Sequence, residues 1–368
     1  MTLELDALLA GPRGRRLCLE FALRTTWDSA SSDAEELRQA IFLAAYDLDP
    51  GRGTSRVLFG PGAERFPPPT PSPEDIARLL DTLPLAEPHE GAMLLSLTTA
   101  VDRARYWQEP DGEDVLAAAP ALHDPLARIA ASLVASSHAR WWATPMDSAQ
   151  WAITFVEADA PRPAATKGAG QTLEQWRAAQ LEEETVAERE RPSDARARWS
   201  GTWWSKPPAA LTQTTRSLGG RGPVGLRLIE DGFGWESATA EQVAVPHDAR
   251  VYEIDGPAAW ADLCRRYPLE VTASRRHDWY RATGRIGRWV IPDWAQVQHD
   301  IDAVHLSADG YLTTAGLAIP VDDDLATVLA GWNPDQTYWF RDVTRSASTH
   351  QAWIYHQKDD NWELSTAR

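Results

Sequence analysis

Two stretches in the last third of the chain concentrate the residue types that carry chemistry. The first, SRRHDWYRATGRIGRWVIPDW from Ser274 to Trp294, holds Arg275, Arg276, Arg281, Arg285 and Arg288 against Asp278 and Asp293, with Trp279, Tyr280, Trp289 and Trp294 among them. Arginine offers a planar fork of donors matched to carboxylate or phosphate, and indole and phenol faces stack on rings. The pattern predicts an exposed or semi-exposed loop that takes an anionic, ring-bearing small molecule such as a nucleotide, NAD or an aromatic acid. Arg275, Arg276, Trp279, Tyr280, Arg288, Trp289 and Trp294 are its expected binding residues. The competing reading is that these arginines pair with nearby acids, including Asp300, Asp302 and the Asp322–Asp324 run.

The second stretch is HDIDAVHLSADGYLTTAG, 299–316. His305 and Ser307 stand two apart, so on a strand they share a side. An imidazole titrates near neutral pH, which makes His305, and after it His277, the expected general base, with Asp302 or Asp278 as the orienting carboxylate. Strand periodicity puts Asp302 on the side opposite His305, so their pairing requires a bend in the chain. Ser307 and Tyr311 complete the expected binding set. The spacing of His299, Asp302 and His305 matches no HExxH-type arrangement, so no metal is expected, and no cofactor is identified.

Composition bounds the rest. The chain has 368 residues, is 43% hydrophobic and 24% charged, and carries a formal charge of −17. That balance fits a globular protein and disfavours a nucleic-acid duplex as partner, since phosphate binding needs a broad cationic surface. The basic character is local: residues 265–288 set seven arginines against Glu270 and Asp278. Arginine outnumbers lysine 33 to three, a usage that points to a GC-rich bacterial genome. No stretch reaches the roughly 18 apolar residues of a membrane span, and the start lacks a signal-peptide pattern. Cys18 and Cys264 lie far apart with no CxxC pair, so a reducing cytoplasm is expected. Of the 18 tryptophans, 17 follow residue 100. Each is accounted for by core packing or by an aromatic-lined site.

The elements that must position these residues change period along the chain. SDAEELRQAIFLAAYDL, with Asp33 as cap, SPEDIARLLDTL, with Ser72 and Pro73, and HDPLARIAASL, with Asp124 and Pro125, read as amphipathic helices. The Gly/Pro-rich link between the first two has Arg52, Ser55 and Arg56 beside glycines but lacks GxxxxGK[ST], and it reads as a surface loop rather than a phosphate cradle. From QWAITFVEA onward, two-residue alternation predicts strands. A charged helix at TLEQWRAAQLEEETVAERERP, capped by Thr172 and Gln175, and a hairpin turning at Asp231-Gly232 follow. VYEID, PAAWADLCRRYP and LEVTAS predict strand, helix, strand; WVIP, AVHLS, ATVLAG and TYWF are further strands, and DWAQVQHDI is a helix capped by Asp293. AWIYHQKDDNWELS closes the chain as a hairpin. The expected fold class is α+β: a helical domain over 1–145, a mixed domain with short, largely antiparallel strands over 150–345 containing the site region 274–311, and a β-hairpin tail over 346–368.

The order of strand VYEID, a helix, an Arg/aromatic loop and a later strand GYLTTAG is loosely similar to ADP-ribosyltransferases, over about a quarter of the chain. Those proteins place Arg or His on the first strand and a catalytic Glu later. This chain has Tyr252 and Glu253 on the first strand and Asp335, not Glu, in the later segment GWNPDQTYWF. Two functions are expected in order: a cytoplasmic enzyme acting on an anionic ring-bearing substrate, with group transfer as its candidate reaction, or a non-catalytic, Trp-rich, acidic binding or immunity-type protein that docks a protein partner.

Overall fold

The computed structural model describes residues 4–27, 31–52, 70–156, 168–232, 234–358 and 360–365. Ser55 and Arg56 of the Gly/Pro-rich link lie outside the described residues. The first part is helical: α1 Leu5–Ala10, α2 Pro12–Trp27, α3 Ser32–Leu48, α4 Pro73–Thr82, α5 Glu90–Asp102, α6 Gly112–Ala117 and α7 His123–Ala135. Helix α4 starts as its sequence dictates, with Ser72 and Asp75 forming a reciprocal capping box and Pro73 at the first position. In α3 the cap is Ser31, not Asp33, which leaves Asp33 and Glu35 in the first turn against the positive end of the helix dipole. Helix α7 begins at His123, ahead of Asp124, because the 3₁₀ turn Pro120–Leu122 runs directly into it.

Among the described residues the first strand is β1, Gln150–Phe155. After it come α8 Ala169–Glu190, β2 Gln213–Thr215, β3 Ser237–Val243, β4 Val251–Ile254, α9 Pro257–Arg266, β5 Pro268–Glu270 and α10 Thr272–Thr283. The chain continues through β6 Arg288–Pro292, α11 Trp294–Val297, β7 Ala303–Leu306, α12 Ala308–Thr314, β8 Ile319–Pro320, β9 Leu325–Thr327, β10 Gln336–Trp339, β11 Arg345–His356 and β12 Asn361–Leu364. The fold is therefore α+β, helical first and mixed after. One sheet runs β12-β11-β3-β1-β2-β10-β7-β4, and a second runs β5-β6-β9-β8. Pairing is antiparallel except at β4–β7 and β6–β9. β11 and β12 form the C-terminal hairpin.

Further local expectations change. The segment after LEVT is not a loop: Thr272–Thr283 is α10, and Gly284, at φ 72°, is its left-handed C-terminal stop. GYLTTAG is not a strand, because Ser307 accepts a hydrogen bond from Gly310 N and starts α12. The turn at Asp231-Gly232 exists, with Asp231 at φ 48°, but a 3₁₀ turn at Val224–Leu226 replaces the strand expected before it. Helix α8 begins at Ala169 and has no cap from Thr172; Ala169 N donates to Asp342 Oδ1 at 3.1 Å instead. The boundary near residue 145 separates helices from strands, while one continuous cluster of buried apolar side chains draws on both sides of it, from Leu17 and Leu97 to Trp260, Trp294 and Tyr338. A smaller cluster around Trp151, Trp353 and Trp362 lies toward the C-terminal end of the large sheet.

Candidate functional site

Helix α10 spends its cations on structure. Arg275 is buried, donating to Gln180 and to Ser274 Oγ, and its guanidinium lies 3.4 Å from Glu183 of α8. Arg281 binds Asp278 and the carbonyls of Trp107 and Trp199. Arg288 is held by Glu270 at 2.6 Å and Asp324 at 2.7 Å. Arg276 makes no ion pair among the described residues, and its Nε is buried without a hydrogen-bond partner. His277 is buried with Nδ1 3.3 Å from Ala195 O, and burial lowers its pKa. Tyr280 carries the Arg196 guanidinium 5.9 Å from its ring centroid, and Trp289 carries Arg285 at 4.7 Å. The expectation of an exposed or semi-exposed loop at 274–294 is therefore corrected: a helix packed on α8 turns most of these side chains into the core or into ion pairs with the neighbouring acids.

His305 is likewise internal. It has no exposed surface; Nδ1 lies 2.6 Å from Glu253 Oε2 and Nε2 lies 3.3 Å from Asp335 Oδ1. Asp335 also accepts from Thr215 Oγ1 at 2.8 Å and from Arg216 N at 2.9 Å, and pairs with the Arg216 guanidinium. Burial opposes charge on the imidazole, but hydrogen bonds to Asp335 and Glu253 outweigh it and raise the His305 pKa. Burial opposes charge on Asp335 too, and His305 with Arg216 holds it low. With both ring nitrogens taken, this histidine is an internal tie rather than an accessible base. Asp302 is not its partner. It binds Arg250 through N, Nε and Nη2, on the opposite side that strand periodicity gives. Ser307 is the cap of α12.

The concave site lies elsewhere, on the face of three adjacent strands of the large sheet. Trp151, Ile153 and Phe155 alternate along β1, beside Gln213 and Thr215 of β2 and Gln336 of β10. Trp203, Trp204 and Lys206 enter from the segment before β2, and Ile229, Glu230, Asp231 and Trp235 from the turn before β3. Gly331, Asn333 and Pro334 close it. The cavity measures about 390 Å³, room for a molecule of one or two rings. Its aromatic walls are ordered against each other: Phe155 stacks on Trp235 at 4.5 Å, and Trp203 meets Trp204 edge-on at 5.8 Å. Depressions of 620 and 730 Å³ on the helical part are more open, and residues tied in ion pairs, such as Arg16, Glu20, Arg38 and Arg78, line them.

The tryptophans expected to bind ligand support this wall from behind. Trp279 Nε1 donates to Trp203 O at 2.7 Å, and Trp294 Nε1 donates to Ser205 O at 3.2 Å. Ser205 is also fixed by reciprocal bonds with Ala330, from Ser205 N at 3.0 Å and from Ala330 N to Ser205 Oγ at 3.0 Å. Gly331 lets the two segments meet: its φ is 76°, and a Cβ there would lie 2.7 Å from Trp204 Cβ.

Two titratable groups of the cavity have shifted pKa values. Lys206 is half-buried and makes no side-chain hydrogen bond or ion pair with a described residue. Desolvation lowers its pKa, and the nearby Glu230 charge offsets this only in part. Glu230 is 9% exposed, and both its carboxyl oxygens are buried beside the Tyr311 hydroxyl and the Gly331 backbone. Burial pushes its pKa up to about 8, against weaker opposing pulls from Tyr311, Lys206 and Arg13. The hydroxyls of Tyr106, Tyr311 and Tyr338 are buried around this acid, Tyr311 between Glu230 and Tyr106. Asn333 Oδ1 fixes the backbone here, accepting from Glu230 N at 2.9 Å. Of the residues predicted from sequence, Tyr311 is the one placed beside this acid.

Sequence reasoning missed Lys206 and Glu230. A signal existed for the first: GTWWSKP puts one of only three lysines two residues after a tryptophan pair. Nothing local marks Glu230, because its surroundings come from distant parts of the chain, such as Tyr106, Tyr311 and Asn333. Among the described residues no group of three or more His, Cys, Asp or Glu is arranged to hold a metal, and no helix is long and apolar enough to cross a membrane. No protein family, curated protein or solved structure matches this chain.

Proposed function

We propose that this protein is an enzyme acting on a compact, ring-bearing small molecule, bound between the Trp/Phe walls with its polar end toward Lys206 and Glu230. The carrying observation is that an unpaired lysine and a proton-retaining carboxyl converge on one aromatic-walled cavity. Aromatic walls select a ring by stacking and by area. A carboxyl that ionises near pH 8 still holds its proton at neutral pH, so Glu230 places no full negative charge beside the lysine, and the ligand end that Lys206 fits is an acceptor oxygen: a carboxylate or a carbonyl. Titratable groups with shifted pKa values in a cleft are the usual materials of acid–base catalysis. Action in the cytoplasm is part of the proposal, supported by two buried, unpaired thiols. A partner-docking role has less support: among the described residues the strongly exposed tryptophans are Trp27, Trp199 and Trp204, too few for a broad aromatic face.

The test is binding. Thermal shift and tryptophan fluorescence with a panel of aromatic acids, aromatic carbonyl compounds, nucleotides and NAD should identify a ring-bearing class that quenches the wild-type protein. Lys206→Gln and Trp151→Ala should each weaken that binding about tenfold or more, while Arg288→Gln, at the surface of the 274–294 segment, should not. Binding that ignores the cavity variants and responds to Arg288 would defeat the proposal.

A further inference from the structure

We infer that Lys206 is the nucleophile of this cavity and forms an imine with an aldehyde or ketone carbon of the ring-bearing substrate. The inference rests on the cavity being the substrate site and adds the substrate's chemical class. Three observations lead to it. The lysine lines the cavity with no carboxylate, carbonyl or hydroxyl among the described residues bonded to its ammonium. Trp151, Trp203 and Trp204 line the same cavity, and apolar surface of this kind favours a neutral amine with a free lone pair. The chain also builds its fixed cations from arginine, 33 against three lysines. A permanent positive charge is arginine's property, whereas only lysine can lose its proton and attack. The lowered pKa of Lys206 agrees with this.

The step balances without any further reactant. The Nζ lone pair attacks the carbonyl carbon, a C–N bond forms, and the carbonyl oxygen takes a proton while the nitrogen loses one, giving a carbinolamine. A second proton, from water in the cavity, lets the hydroxyl leave as water as the nitrogen lone pair closes the C=N bond. The protonated imine then draws electrons from an adjacent C–H or C–C bond, and water restores the lysine. Bond cleavage or proton removal next to a carbonyl is therefore the class of reaction that follows.

The full-length wild-type protein is incubated with 2-hydroxybenzaldehyde and sodium cyanoborohydride, and the adducts are mapped by peptide mass spectrometry. Lys167, Lys206, Lys358 and the N-terminal amine are the only amines of the chain, so assignment is unambiguous. Lys206 should be labelled at least tenfold faster than Lys358. Equal labelling of all the amines, or labelling that spares Lys206, overturns the inference. Because the mapping uses the wild-type chain, it does not depend on a variant folding. The ring without the carbonyl, 2-hydroxybenzoate, is the second arm. Quenching by it in the absence of a selective adduct rejects the imine and keeps the binding site; neither quenching nor adduct rejects both.

Discussion

At Glu230 the decisive fact is a carboxyl whose two oxygens are sealed from water, a state that costs far less when the group keeps its proton. The linkage follows in sign. An unfolded glutamate titrates near 4.3, while in the folded protein this one holds its proton up to about pH 8, so the folded state binds more protons across that interval. The stability it contributes is complete below the ordinary glutamate range and is lost as pH rises through about 8. Glu230→Gln, which mimics the neutral acid, should flatten that part of the stability–pH curve and melt a few degrees higher than wild type at pH 9. Urea or thermal unfolding from pH 5 to pH 9 checks it; identical pH slopes for the two proteins would remove Glu230 from this role. Lys206 has the complementary position, since a desolvated amine favours its neutral form at lower pH than a solvated one.

Among the elements, the segment 203–206 is the part most exposed to change, because its shape is set by contacts from other elements rather than by its own regular structure. It is pinned by the indoles of Trp279 in α10 and Trp294 in α11 and by the backbone of Ala330. Replacing Trp279 by Phe keeps most of the buried area but removes the hydrogen bond to Trp203 O. The expected result is a loss of about 1–2 kcal/mol of stability together with weaker ligand quenching, measured on the same samples. Gly331→Ala should cost about 1 kcal/mol or more through its positive φ, and more again through the contact with Trp204 Cβ. Gly220→Ala is the control, since a Cβ there meets nothing within 4 Å. If the two alanine variants unfold at the same denaturant concentration, the close approach at Gly331 is not what holds the wall.

Across the whole molecule, the Arg216–Asp335–His305–Glu253 chain ties the middle of the large sheet to the end of the helical part. Arg216 also donates to Pro145 O at 2.8 Å and to Thr144. Removing one member strands the others in the interior, so Asp335→Asn should destabilise by about 3–5 kcal/mol, as truncation of a buried pair does. The pH window is bounded on both sides. Asp335 is held low, so its contribution is present above the ordinary carboxylate range and is lost as pH falls through its folded value. His305 is held high, so its contribution is full below about 6.5 and is lost as pH rises through its folded value. Chemical denaturation at pH 4, 6 and 9 should therefore show the largest cost of Asp335→Asn at pH 6. A cost independent of pH would mean that packing, not charge, is what the site supplies.

Sequence alone determined the class of this protein and most of its elements, since those depend on neighbouring residues. The Ser72–Pro73–Asp75 start of α4, the alternation of Trp151, Ile153 and Phe155 in β1 and the C-terminal hairpin are each written within a dozen positions. The Arg/Trp segment was legible as a cluster but not as a loop or a helix, because its helix depends on Gln180 and Glu183 of α8, over 90 residues earlier, to take up Arg275. His305 was legible as a strand histidine. That it is closed between Glu253 and Asp335 was decided by strand pairing at β4–β7 and β7–β10. The cavity belongs wholly to tertiary structure: β1, β2 and β10 become neighbours only in the sheet, and the depth at which Lys206 and Glu230 come to rest sets their protonation. Composition and spacing name the residue types, whereas desolvation, which turns an ordinary carboxyl into one that keeps its proton at neutral pH, is a property of the packed interior.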